Sequence, residues 1–300
     1  MWKVFYVSFC AILQRLLPPT MPLRALYTGF LALSFCFLST LPNARAQDLT
    51  SVAGAPAAAM ANTMLTDTNT WAATNNPAGL AWNSKASIAL AYRNAFLVEN
   101  LGTRSIAGVL PFGNSAFGIN IQSFGYQQYL SNRLGLAYGL RLGEKTSIGA
   151  QIYYHSLTLD EMYGSTRFWT IGLGARFNAS KKLTLGAHVL NANEAALTDY
   201  QSERTPARLA AGMAYAWSAK LRMTAEVQQV SGQQGGMRAG LEYAPVQNLV
   251  LRCGGGTGPA LFSFGFGWRV KFLDIDVATH YHNVLGFSPQ VSIAWIQGRK

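Results

Sequence analysis

Leu261-Phe262-Ser263-Phe264-Gly265-Phe266-Gly267-Trp268-Arg269-Val270 is the stretch whose reading decides the fold. Every second residue gives one set: Phe262, Phe264, Phe266, Trp268 and Val270. The residues between them are Ser263, Gly265, Gly267 and Arg269. Neighbours on a strand point to opposite faces, so one face is aromatic and the other small or charged. A soluble sheet buries its apolar face in a core, whereas a membrane barrel turns it to lipid and lines a lumen with the rest. Alternation alone admits both, and the surrounding chain has to choose.

The same pattern recurs from residue 85 onward. Ile88, Leu90 and Tyr92 oppose Ser87, Ala89, Ala91 and Arg93. Leu134, Leu136, Tyr138 and Leu140 oppose Arg133, Gly135, Ala137, Gly139 and Arg141. Similar runs occupy 105–110, 116–122, 148–154, 169–177, 183–190, 208–217, 221–228, 237–243, 249–254, 273–280 and 291–296. Turn signals such as Pro111-Phe112-Gly113-Asn114, Gly143-Glu144-Lys145, Ser218-Ala219-Lys220 and Ala244-Pro245-Val246-Gln247-Asn248 separate them. They alternate with longer connections such as 191–205, and short turns at one end with longer loops at the other mark an outer-membrane barrel. The expected fold is all-β, a transmembrane antiparallel barrel of about 14 strands with a short N-terminal helical hatch. A soluble sandwich would share the alternation, but the aromatic residues near strand ends (Trp169, Phe177, Tyr215, Trp217, Tyr243, Trp268, Trp295) suit interfacial girdles.

Composition agrees. Half the chain is hydrophobic and only 12% is charged, against roughly 25% in ordinary soluble domains. The apolar excess sits in short alternating runs, apart from two apolar stretches near the start. The second of these, 30–41, follows Met21 and Arg24 and precedes Ala44-Arg45-Ala46, an A-x-A cleavage pattern before Gln47. Residues 1–46 are therefore expected to be a secretory signal peptide, with Met21 as the start; the other reading keeps Met1 and a helical anchor. Cleavage would remove Cys10 and Cys36 and leave Cys253 alone, so no disulfide is expected within the mature chain. It would also remove Lys3, Arg15, Arg24 and Arg45, leaving a chain that is still net positive.

Residues 47–84 break the strand pattern. Ala53-Gly54-Ala55-Pro56-Ala57-Ala58-Ala59-Met60-Ala61 suits a short helix, and Asn75-Asn76-Pro77-Ala78-Gly79-Leu80 suits a sharp turn. This segment is the expected hatch, and 85–300 the barrel.

With the apolar rows facing lipid, the inward rows carry Arg93, Arg133, Arg141, Arg176, Arg208, Arg222, Arg238, Arg252 and Arg269, with Glu226, Glu242, Asp274 and Asp276. None of the outward rows contains a charge, and one at the bilayer midplane would cost about 2–4 kcal/mol. Two roles compete for the arginines: pairing with those carboxylates and with hatch carbonyls, or lining a path that steers anionic or amphipathic ligands. The many inward glycines (among them Gly118, Gly139, Gly174, Gly186, Gly240 and Gly265) leave room for the N-terminal segment or for a ligand. His280 and His282 share a face, but two ligands are too few for a metal site. No GxSxG elbow occurs, so neither catalytic residues nor cofactors are expected.

The stretch Asn76-Pro77-Ala78-Gly79, placed just before the first strand, resembles the N-terminal region of the fatty-acid-transporter superfamily of outer-membrane barrels. That superfamily includes the FadL long-chain fatty acid transporters and the PorV and PorQ proteins of type IX secretion. The resemblance implies a hatch inside a fourteen-stranded barrel in the outer membrane of a Gram-negative cell. It implies passage or binding of a small hydrophobic or amphipathic molecule, or else a non-transporting accessory that docks secretion proteins. The strand region is shorter than that of the usual fatty acid transporters, and this compact form looks more like the PorV and PorQ side; the ending Gln297-Gly298-Arg299-Lys300, rather than an aromatic residue, departs from the usual assembly signal. A barrel-embedded lipid-modifying enzyme using His280 or His282 is a third class. Outer-membrane lipids are the expected surroundings, and no nucleic-acid partner is expected.

Overall fold

A computed structural model describes residues 53–159, 164–195, 205–257 and 261–299, so the leader read in residues 1–46 lies outside the described residues. Each strand pairs antiparallel with its neighbour in sequence, and the first with the last, which closes a fourteen-stranded barrel. The strands are β1 (Ser87–Asn94), β2 (Gly102–Phe112), β3 (Ser115–Tyr126), β4 (Tyr129–Arg141), β5 (Thr146–Leu159), β6 (Ser165–Asn178) and β7 (Leu183–Leu190). They continue with β8 (Arg208–Ala216), β9 (Leu221–Val230), β10 (Gly236–Val246), β11 (Leu249–Gly256), β12 (Leu261–Val270), β13 (Leu273–His282) and β14 (Gly286–Ile296). At the seam Ser87 pairs with Ile296 and Arg93 with Gln290. Closure leaves no edge with unpaired N–H and C=O groups, which is the condition for strands in hydrocarbon.

The two faces separate as the alternation predicts. Phe262, Phe264 and Phe266 are 60%, 54% and 49% exposed, whereas Ser263 between them is 4% exposed. Leu134, Leu136 and Tyr138 are exposed, while Arg133 and Ala137 are buried. A closed sheet whose outer face is this apolar has acyl chains as its solvent. Among the described strands, charge appears on the outward face only at Arg104 and Arg167, the third residues of β2 and β6.

Six connections at one end are short. Gly113-Asn114 joins β2 to β3 and Lys271-Phe272 joins β12 to β13, with φ of 58° at Gly113 and 47° at Lys271. Positive φ is what two-residue hairpin loops require. At the other end four connections run to five residues or more, such as 191–207, while 127–128, 257–260 and 283–285 have two to four. Two prolines read as turn residues lie within strands. Pro111 pairs with Ala116 in β2, and Pro245 sits where the β10–β11 register shifts between Tyr243 and Val246. A proline lacks an N–H, so a bulge is where a ladder tolerates it.

The chain before β1 fills part of the lumen from the short-turn end. It forms α1 (Ala55–Ala59), α2 (Ala72–Asn75) and a 3-10 helix (Pro77–Trp82). Pro56 and Pro77 each stand in the first turn of their helix, where the missing N–H costs nothing. Buried apolar clusters form seams between this hatch and the wall: Ala55, Ala58 and Ala59 against Ala278, and Ala72, Ala73 and Leu80 against Val109, Ala116 and Ala137.

Candidate functional site

Asn76 organises the hatch. Its Oδ1 accepts the Ala78 N–H at 3.2 Å and caps the 3-10 helix, while its Nδ2 donates to Leu65 O at 2.6 Å and to Ala175 O of β6 at 3.3 Å. One side chain thus ties the turn to another hatch segment and to the wall. Pro77 opens the helix, the Ala78 carbonyl accepts from Ser147 Oγ at 2.8 Å, and a Cβ on Gly79 would collide with Asp67 O.

The wall admits this backbone because it carries glycine where the two touch. A Cβ on Gly139 would lie 2.5 Å from Pro77 O, and one on Gly254 2.5 Å from the Met60 carbonyl carbon. A Cβ on Gly174 would overlap Asn76 Oδ1. The room left by the inward glycines is therefore occupied by the hatch at these positions. Ser263 and Gly265, the small face of the diagnostic strand, belong to this contact: Ser263 Oγ accepts from Ala61 N at 2.7 Å and donates to Ala59 O at 3.0 Å.

Other inward side chains complete the tether. Asn120 Nδ2 donates to Ala73 O at 2.9 Å, Tyr153 OH to Thr74 O at 3.1 Å, Arg141 to Ala81 O at 2.9 Å and Arg176 Nε to Thr66 O at 2.9 Å. Glu226 Oε1 accepts the Leu65 N–H at 2.7 Å, and Thr63 and Thr224 hydroxyls meet at 2.6 Å. Trp82 donates to Ser147 Oγ at 2.8 Å and lies under the Arg141 and Arg176 guanidiniums, 4.2 and 4.9 Å from the ring centroid. Arg222 pairs with Asp67 of the hatch.

Beside that pair, Arg252 bridges two carboxylates, Glu242 at 2.7 Å and Asp276 at 2.6 Å, and Arg299 holds Asp274 at 2.5 Å. Glu242, Arg252, Asp274 and Asp276, with Arg222 and Arg269, face a cavity of about 340 Å³ at the short-turn end, bounded on the hatch side by Asp67, Asn69 and Trp71.

The long-loop half is different. Its inward rows hold Arg93, Arg133, Arg208 and Arg238, with Glu226 below them. Arg133 bonds Gln122 and lies 4.8 Å from the Tyr153 ring centroid. His155 stacks on Phe168 at 4.7 Å and shares a 2.9 Å bond with Thr170; His188 meets Gln151 at 2.8 Å. The ends of the β7–β8 connection fold in over this wall, joined by Asn191 Nδ2 to Thr205 O at 2.8 Å. Two spaces among these side chains are about 10 Å³ each, room for at most one water. His280 is buried, and His282 Nδ1 accepts from Val284 and Leu285 N–H at 3.2 Å, a turn-building role. Among the described residues no cluster of three metal-ligating side chains occurs.

Sequence reasoning singled out the charged lumen residues but passed over Ser147, Ser263, Thr224, Asn120, Tyr153 and Asp67. The available signal was parity, because all but Asp67 lie on inward rows.

No family model matches the chain, and no curated protein matches it. Its fold is similar to that of solved barrels. The Ralstonia pickettii toluene transporter TbuX superposes with a TM-score of 0.61 at 15% identity, over 80% of this chain and 96% of that one. The Pseudomonas putida toluene transporter TodX gives 0.57 at 13% identity, over 80% and 95%. A deltaS2 mutant of the TodX monoaromatic hydrocarbon channel gives 0.66 at 12% identity, over 84% and 99%. At such identities the likeness is one of fold. None of these three is a PorV or PorQ protein.

Proposed function

We propose that this chain is an outer-membrane barrel of a Gram-negative cell, exported by a leader in residues 1–46, that binds or passes small hydrophobic or amphipathic molecules. The observation that carries the reading is how the hatch is held. Residues 53–84 are alanine-rich, seat on a glycine-lined wall, and are tied to it by side-chain hydrogen bonds and the Arg222–Asp67 pair. Polar tethers of this kind exchange for water at a net cost of only about 0.5–1.5 kcal/mol each, so the hatch can shift without dismantling the wall. Arg93, Arg133, Arg208 and Arg238 line the outer half of the lumen, where a guanidinium can receive the polar end of an anionic amphiphile. The likeness in fold to hydrocarbon transporters supports the same reading. Uptake of labelled toluene and of a labelled fatty acid into proteoliposomes tests it. Flux above protein-free vesicles is the expected result; no flux and no binding would reject it.

One observation favours a second reading, the non-transporting accessory that docks secretion proteins. Among the described residues two spaces in the outer lumen measure only about 10 Å³ each, which suits a barrel that presents a surface rather than a path. Crosslinking in cells separates the two, because a stable secretion partner together with absent flux selects the accessory.

A further inference from the structure

Every lysine from residue 53 to residue 299 stands at the short-turn end. Lys85 precedes β1, Lys145 lies in the β4–β5 turn, Lys181 and Lys182 in β6–β7, Lys220 in β8–β9 and Lys271 in β12–β13. All six are exposed. Lys85 Nζ donates to Gly298 O at 2.8 Å and Lys220 Nζ to Pro245 O at 3.2 Å, and among the described residues none of the six forms an ion pair. The acidic residues of the connections divide the other way. Among the described residues only Glu144 is in a short turn, whereas Glu99 and Glu194 lie in connections at the opposite end.

We propose that the six lysines form a binding ring for anionic phospholipid headgroups in the leaflet at the short-turn end, the periplasmic leaflet of the outer membrane. Short turns mark the periplasmic side of such barrels, so the assignment rests on the membrane reading above. Two features select a lipid surface over a protein partner. The lysines are spread around the perimeter, from β1 through β13, whereas a protein would meet one sector. Outward aromatics also sit beside them: Phe177 before Lys181, Trp217 before Lys220 and Phe272 after Lys271, each exposed. An aromatic ring at the interface with an amine reaching just beyond it is the layering that a headgroup plane imposes.

The test uses the full chain reconstituted in vesicles of phosphatidylcholine and phosphatidylglycerol, with spin-labelled lipids reporting which headgroup associates. Phosphatidylglycerol is expected to be favoured about fivefold at low salt, falling toward parity at high salt. Replacing all six lysines by Gln should remove the preference, and replacing them by Arg should keep it. Where the sixfold variant fails to insert, a fourfold one at Lys145, Lys181, Lys182 and Lys271, exposed lysines whose ammonium groups are not the Lys85 and Lys220 donors above, gives the same reading. An inserted wild-type barrel with no headgroup preference overturns the ring. So does a preference that survives the Gln variants or disappears only when Arg104 and Arg167 are replaced. Failure of the wild type to insert at all counts instead against the membrane reading.

Discussion

Asn76 is the residue on which the hatch depends most. Its amide accepts one hydrogen bond and donates two, so Asn76→Ala removes a helix cap and leaves Leu65 O unpartnered inside the barrel. A lost cap costs about 1 kcal/mol and a buried orphan about 1–3 kcal/mol. Hydrogen exchange should therefore show the Ala78 and Gly79 amides losing protection while strand amides stay protected. Asn76→Asp should not rescue, since a carboxylate keeps the acceptor for Ala78 but faces two carbonyls. Arg252 offers a second test at this scale. Arg252→Met leaves Glu242 and Asp276 facing each other without their shared cation and should lower stability by about 3–5 kcal/mol. Reversible unfolding from detergent measures it, and adding Glu242→Gln and Asp276→Asn should restore most of the loss. The inward position of these residues was legible from alternation alone. Pairing with the inward carboxylates was one of the two readings this allowed; which hatch groups take part was not legible, because Asp67 and the hatch carbonyls come from a segment with no periodicity to place it.

At the scale of elements, the hatch and the wall are separable. The strand ladder makes its own backbone hydrogen bonds, whereas the hatch backbone is held by side chains of the inward rows. Gly139→Val and Gly254→Val should therefore displace the hatch and leave the barrel formed. Planar-bilayer recording is expected to show conductance rising in both variants, with barrel formation confirmed by unchanged strand signal in circular dichroism. All fourteen strands were readable because one face of each is lipid-wet, and a period of two then appears directly in the sequence. Their long-loop ends were not readable. β5 runs on through His155 and Ser156 to Leu159, and β6 starts at Ser165, where polar residues near the headgroups blur the contrast between faces. Pro111 and Pro245 misled for the opposite reason: proline usually ends a strand, yet here one pairs in the ladder and the other sits at a bulge.

The whole molecule is an inverted protein, apolar outside and polar within. Phe264 lies mid-strand on the outward face, so Phe264→Arg should cost about 2–4 kcal/mol in refolding experiments, while arginine at Phe272, in a turn at the barrel's end, should cost about 0–1 kcal/mol. Equal costs at the two depths would mean that no bilayer surrounds the barrel. The partition itself is tested most directly by spin labels placed singly along β12 in the lipid-reconstituted protein, with Cys253→Ser as background. Labels at Phe262, Phe264 and Phe266 should be accessible to oxygen and not to an aqueous nickel reagent. A label at Arg269, on the inward row of the same strand and facing the cavity, should be accessible to the nickel reagent. Nickel access at the phenylalanine positions, or its absence at Arg269 together with oxygen access there, would contradict the account.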